Sequence, residues 1–257
     1  MIKLCNVMVK LCNIISVIFI LCILYAAFMP LQLTRYTLSD GDHTIVFQSM
    51  IHIGNPDFYK HVESDAVLYT NDGYTFLYEG IKPGKIDIHN KANVPSYDMV
   101  SYELGLESQS INSYFDVIRK IKGINADVDT DWILDQYAKN NLKVDNSASS
   151  QSGTKEEKDF IDRHKILIES IGRPLSRLGS RFSIVLEKYN ETIGRHSVIM
   201  DIILVKRNEV LYNAIQQNLS HKIYINYGAM HFYNLYDMLK KNNPNWHIVE
   251  EKNYSAF

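Results

Sequence analysis

The chain has 257 residues, enough for one apolar segment and a domain of about 200 residues with a sizeable core. Its 27 Lys and Arg face 29 Asp and Glu, and beyond Lys10 the balance is about −4, which argues against nucleic acid as a partner. All three cysteines, Cys5, Cys12 and Cys22, lie in or beside the apolar segment, so the domain offers no cysteine nucleophile and no thiolate metal site.

Residues 1–10 carry Lys3 and Lys10 and read as a short tail. Residues 11–33 carry no charge, and about 20 apolar residues suffice to cross a bilayer as a helix. The preceding lysines then predict an uncleaved transmembrane helix, a single-pass anchor with its tail in the cytoplasm and the domain on the extracytoplasmic side. A cleaved signal peptide is the alternative, although Tyr25-Ala26-Ala27-Phe28 makes a poor cleavage site. A domain without thiols is compatible with an oxidising compartment.

The domain is read over residues 44–252. An apolar β-type run from Val46 ends in Ser49-Met50-Ile51-His52, and Asn55-Pro56 then opens a helix with Phe58, Val62, Ala66 and Tyr69 at helical spacing. Asn71-Asp72-Gly73 stops that helix ahead of a second run, Tyr74 to Tyr78, which ends on Glu79-Gly80. Strand, helix, strand predicts a parallel pair with a right-handed crossover and both strand ends at one sheet edge. Residues 97–122 read as helical, and Thr130 can cap a helix that runs through Tyr137. The stretch at about 144–158 is rich in Ser, Asn, Gly and Thr and reads as a flexible insertion.

Beyond it, Phe160 to Ile171 and Leu175 to Ile193 read as helices separated at Pro174. Arg207 to Leu219 is helical, Ile223 to Tyr227 a strand, Phe232 to Lys241 a helix, and Trp246 to Val249 an edge strand. The fold class predicted is α/β, a single domain with a mixed or mainly parallel sheet flanked by helices.

Two strand ends deliver histidines in matching settings, Ser49-x-x-His52 and Gly228-x-x-His231. A neutral imidazole there suits either metal coordination or general-base work. Glu79 closes an apolar strand, where a carboxylate is costly to bury unless it is paired, bound to metal or catalytic. The fork of Arg207 fits a carboxylate or an oxyanion. Asp127 and Asp129 could bind metal, but Ala126-Asp127-Val128-Asp129-Thr130 also fits ordinary turn and helix-capping chemistry, the preferred reading. Gln48, Asn226 and Tyr78 flank the motifs.

Taken in order, strand-SxxH, strand-Glu-Gly, Arg207-Asn208 at a helix start and strand-GxxH resemble the TraB/PrgY/GumN family, whose animal members are the Tiki-type membrane-anchored metalloproteases. The likeness runs from about Thr44 to Val249, with Ser49 standing where the family has glycine. It implies a membrane-anchored hydrolase, a metal-dependent peptidase acting on a peptide or protein outside the cytoplasm. His52, His231 and Glu79 would hold a divalent metal ion, Glu79 would bind it or serve as base, and Arg207 would hold the substrate carboxylate or the oxyanion. Metal-free hydrolysis with an imidazole as base suits the same residues, and a non-catalytic peptide-binding regulator is the alternative on the same fold. In either chemistry His52, Glu79 and His231 are expected to converge within about 8 Å.

Overall fold

The computed structural model describes residues 2–85, 97–109, 114–142, 155–193, 197–220 and 222–257. Most of the expected insertion, residues 143–154, lies outside them.

Six strands form one sheet: β1 (Gln32–Ser39), β2 (Thr44–Met50), β3 (Thr75–Tyr78), β4 (Ile124–Asn125), β5 (Ile223–Gly228) and β6 (His247–Ser255). Their order is β4-β3-β5-β2-β1-β6; β4, β3, β5 and β2 run parallel, and β1 is antiparallel to both β2 and β6. The fold is therefore α/β with a mixed sheet flanked by helices. β2 and β3 do run parallel around helix α2 (Pro56–Asn71), but β5 lies between them. Residues Ile223 to Tyr227 are all buried, and a strand hidden on both faces belongs in the middle of a parallel sheet.

Successive side chains of β5 point to opposite faces, and each face has its own core. On one side Tyr224, Val46 and Phe76 pack under Phe58, Val62 and Ala66 of α2. On the other, Ile223, Ile225, Phe47 and Leu77 meet Leu211 and Ile215 of a later helix and Phe232, Leu235 and Leu239 of the last one. The intervening helices are, in chain order, α3 (Tyr97–Leu104), α4 (Tyr114–Lys120), α5 (Thr130–Lys139) and α6 (Lys155–Ile193), followed by α7 (Arg207–Asn218) and α8 (Phe232–Asn242). The first residue of α5 is Thr130, but its cap is Asp129, whose side chain accepts from Trp132 N at 2.7 Å.

Three local expectations change. Residues 97–122 are not helical throughout: α3 ends at Leu104, and the short strand Glu107–Ser108, paired with Ile53–Gly54, precedes α4. Pro174 sits inside α6 and does not end it. Next to it, Arg173 donates to the carbonyls of Leu104 and Gly105, which ties this turn of the helix to the end of α3. Strand β1 was not anticipated, because its first residues read as the tail of the apolar run.

The transmembrane anchor needs correction. The apolar run does form a helix, α1 (Ile2–Phe28), but among the described residues no helix is long and apolar enough to cross a membrane. The run also does not continue to Leu33 as one helix: α1 stops at Phe28, and Leu31, just before β1, and Leu33, within it, are buried in the core. Arginines of α6 hold its carboxyl end in the domain, Arg177 donating to the Phe28 carbonyl at 3.2 Å and Arg181 to those of Ala26, Met29 and Pro30. The expected single-pass localisation, with the domain on the extracytoplasmic side, falls with the anchor.

Candidate active site at the carboxyl edge of the sheet

The carboxyl ends of β2, β3, β4 and β5 share one edge because these strands are parallel, and this is the edge where open α/β sheets bind ligands. Glu79 directly follows β3, Asp127 lies two residues beyond β4, and His231 closes a single helical turn after Gly228. Arg207 begins α7 directly after a π-helical segment, Asp201–Lys206, a rare element found often at functional sites.

Arg207 is the hub. Its Nε donates to Asp127 Oδ1 at 2.9 Å, and its Nη2 donates to Asp127 Oδ2 and to Glu79 Oε1, each at 2.6 Å. Asp127 is fully buried, and its oxygens also accept from Val128 N and Gly80 N. Such charge-assisted forks are stronger than neutral hydrogen bonds and fix a guanidinium in its plane. The other oxygen of Glu79, Oε2, accepts from Gly228 N at 2.6 Å. A Cβ at position 228 would stand 3.1 Å from that oxygen, so a side chain there would press on the Glu79 carboxylate.

Burial alone would raise the Glu79 pKa, but it is overcome by the charge that His231 carries once protonated, by Arg207, by His52 and by the Gly228 N–H. The carboxyl falls to about 2. For His231, burial disfavours the imidazolium more than Glu79 favours it, and Arg207 adds repulsion, so its pKa falls to about 4. The carboxylate is therefore charged and the imidazole neutral near pH 7. Arg207 is disfavoured by burial as well, yet Asp127 and Glu79 raise its pKa.

Asn208 decides which nitrogen of His231 carries the proton. Its Nδ2 donates to the His231 carbonyl at 3.0 Å and to Asn234 Oδ1 at 2.9 Å, so its Oδ1 faces the ring. A flipped amide would set two acceptors, Asn208 Oδ1 and the backbone carbonyl, against each other. His231 Nδ1, 2.9 Å from Asn208 Oδ1, is thereby assigned as the donor. Nε2 is left with a bare lone pair, 3.8 Å from Glu79 Oε1. Tyr227 packs edge-on against the ring at 4.8 Å and keeps its plane.

Glu79, Arg207, Gly228, His231 and His52 line one cavity of about 600 Å³. His52 is exposed where His231 is buried, and its backbone carbonyl accepts from Gln109 N at 2.9 Å. Gln48 and Asn226 are register partners in β2 and β5, both buried, and neither lines the cavity. Ser49 belongs to an extended strand in register with Tyr227, and among the described residues the only non-glycine positions with positive φ are Lys122 and Asn141. The serine therefore strains nothing that a glycine would relieve.

The residues expected to hold a divalent ion do not fit one. Among the described residues no three His, Cys, Asp or Glu side chains form a group that could hold a metal ion. Both oxygens of Glu79 are engaged, one of them by a guanidinium that already supplies the positive charge. An ion at Glu79 would have to displace Arg207 or stand beside it.

Sequence reading treated Asp127 as a turn residue and did not single out Asn208. A signal for Asn208 was its place next to Arg207 at a helix start; Asp127 reads from sequence as a metal ligand or a turn residue, but its pairing with Arg207, 80 positions away, leaves no local trace. No family model, curated protein or solved structure matches the chain.

Proposed function

We propose that this chain is a metal-free hydrolase acting on a peptide or protein, with His231 as the general base. The observation that carries this reading is the facing pair of acceptors, His231 Nε2 and Glu79 Oε1, 3.8 Å apart at the cavity wall. Two acceptors so placed are best joined by a species with two hydrogens to give, and O–H donor bonds of about 2.8 Å suit a water molecule there. Glu79 orients that water through one hydrogen and His231 takes the other as its oxygen attacks a carbonyl carbon. The proton on Nε2 then passes to the leaving nitrogen as the C–N bond breaks, which restores the neutral ring.

In the resting site the base is weak, since its pKa is about 4, but it is wholly in the active form at neutral pH. The imidazolium that forms during attack sits beside the Glu79 carboxylate, which stabilises it where the charge develops. The resemblance in motif order to TraB-type sequences supports hydrolysis from a second direction, and the motifs concerned contribute Glu79, Arg207, Asn208 and His231 to this arrangement. Arg207, with Nε and Nη2 both bonded to carboxylates, positions Glu79 and is not assigned to the substrate carboxylate.

The pH dependence tests the reading. Catalysis needs His231 neutral, so kcat/KM on an internally quenched peptide library is expected to stay level from pH 7 to 5 and to fall only as the pH drops through about 4. A limb near 6.5, the ordinary range of an exposed histidine, would assign the base to another residue. Absence of turnover across the library would reject hydrolysis of peptides.

A further inference from the structure

We infer that the cavity accepts an uncharged aliphatic side chain beside the bond to be cleaved and turns away anionic groups, an assignment of substrate class that rests on the hydrolytic reading above. Its walls away from Glu79 and His231 are built largely from Met50, Ile51, Met200, Ile203, Leu204 and Met230. They come from the end of β2, from the segment that includes the π-helical turn, and from the turn after β5, so the apolar lining is not a single stripe, while Gly179, Ser180 and Ser183 of α6 form a less apolar wall. At about 600 Å³ the space is of the size that holds small ligands, and it can take more than one side chain. Thioethers on three sides suit ligands of variable aliphatic shape, because methionine adapts to its neighbour.

The charges point the same way. Arg207 is the one lysine or arginine among the described lining residues, and its Nε and Nη2 are bonded to Glu79 and Asp127. The carboxylates of Asp127 and Glu79 against one guanidinium leave an excess of one negative charge, since burial holds His231 neutral. An anionic side chain entering this space leaves water, meets like charge and finds no free cation, a combination that costs several-fold to many-fold in affinity. A leucine or methionine side chain loses nothing polar on entry and gains the contact of the walls.

The experiment compares N-acetyl-leucyl and N-acetyl-glutamyl aminomethylcoumarin amides at pH 7.5, together with the aldehydes of the same two acyl amino acids as non-cleaved probes whose binding is read by isothermal calorimetry. A preference of about 100-fold or more for leucyl in kcat/KM is expected. Ser183→Lys, at an exposed position on the cavity wall, is expected to narrow that ratio about ten-fold by placing a cation within reach of the glutamyl group.

Equal rates, or a preference for glutamyl, would overturn the assignment while leaving hydrolysis intact. If neither amide is cleaved, the aldehydes decide. Tighter binding of the leucyl aldehyde by ten-fold or more keeps the ligand class and removes the cleavage reading. Equal binding, or no binding of either aldehyde, removes the ligand class as well.

Discussion

Replacing Arg207 with methionine is expected to cost about 3–5 kcal/mol in folding free energy, the range for removing one partner of a buried ion pair. The side chain of Asp127 has no exposed surface and that of Glu79 is 15% exposed, and both face the guanidinium at 2.6 Å. Without it two carboxylates share a site from which water is largely excluded. One of them must then take up a proton, so the variant should recover part of its stability as the pH is lowered from 7 toward 5, opposite to ordinary acid denaturation. Arg207→Lys should recover only a fraction, because a single ammonium cannot match both Asp127 oxygens and still reach Glu79. Urea unfolding followed by far-UV circular dichroism measures all three proteins, and a loss below about 1 kcal/mol for the methionine variant would mean that this triad is not the hub described here.

His231→Gln is expected to lower kcat by about 10³-fold, within the range that a positioned general base contributes, while the KM of any cleaved peptide changes little. Glutamine retains a side chain that can meet Asn208 and keeps most of the volume, so the loss reports proton transfer more than collapse of the pocket. If the variant kept more than a tenth of the wild-type rate, the base would have to be sought elsewhere, with His52 the first candidate on the same cavity.

Much of the scaffold was legible because it obeys local rules. The β2-α2-β3 unit announced itself through two apolar runs, a proline at the first helical position and a glycine stop, and the strand at Ile223 through an apolar run interrupted only by Asn226. These elements bring His52, Glu79, Arg207 and His231 to one cavity, since parallel strands end at a common edge. What escaped depends on distant partners. That β5 inserts between β2 and β3 follows from its burial on both faces, which no local pattern separates from a strand at an edge. Asp127 looked like a turn residue, and locally it is one, its N–H donating to Asn125 Oδ1 and its own Oδ1 accepting from Val128 N. Its larger role exists only once Arg207 arrives from another part of the chain. The apolar run at 11–33 was read to its full length as a membrane helix, whereas Leu31 and Leu33 belong to the core and α6 arginines hold the carbonyls before them. The residues expected to hold a metal do not fit one for a related reason: sequence names the ligands but not the guanidinium that reaches the carboxylate first.

The central claim is that Asn208 and burial leave His231 neutral with Nε2 bare toward Glu79. Nitrogen-15 NMR of the histidine-labelled protein tests it most directly, with His231→Gln assigning the resonance among the nine histidines. The account predicts a neutral ring protonated on Nδ1 at pH 7, with a midpoint of titration near 4. A proton on Nε2, or an imidazolium at pH 7, would contradict it.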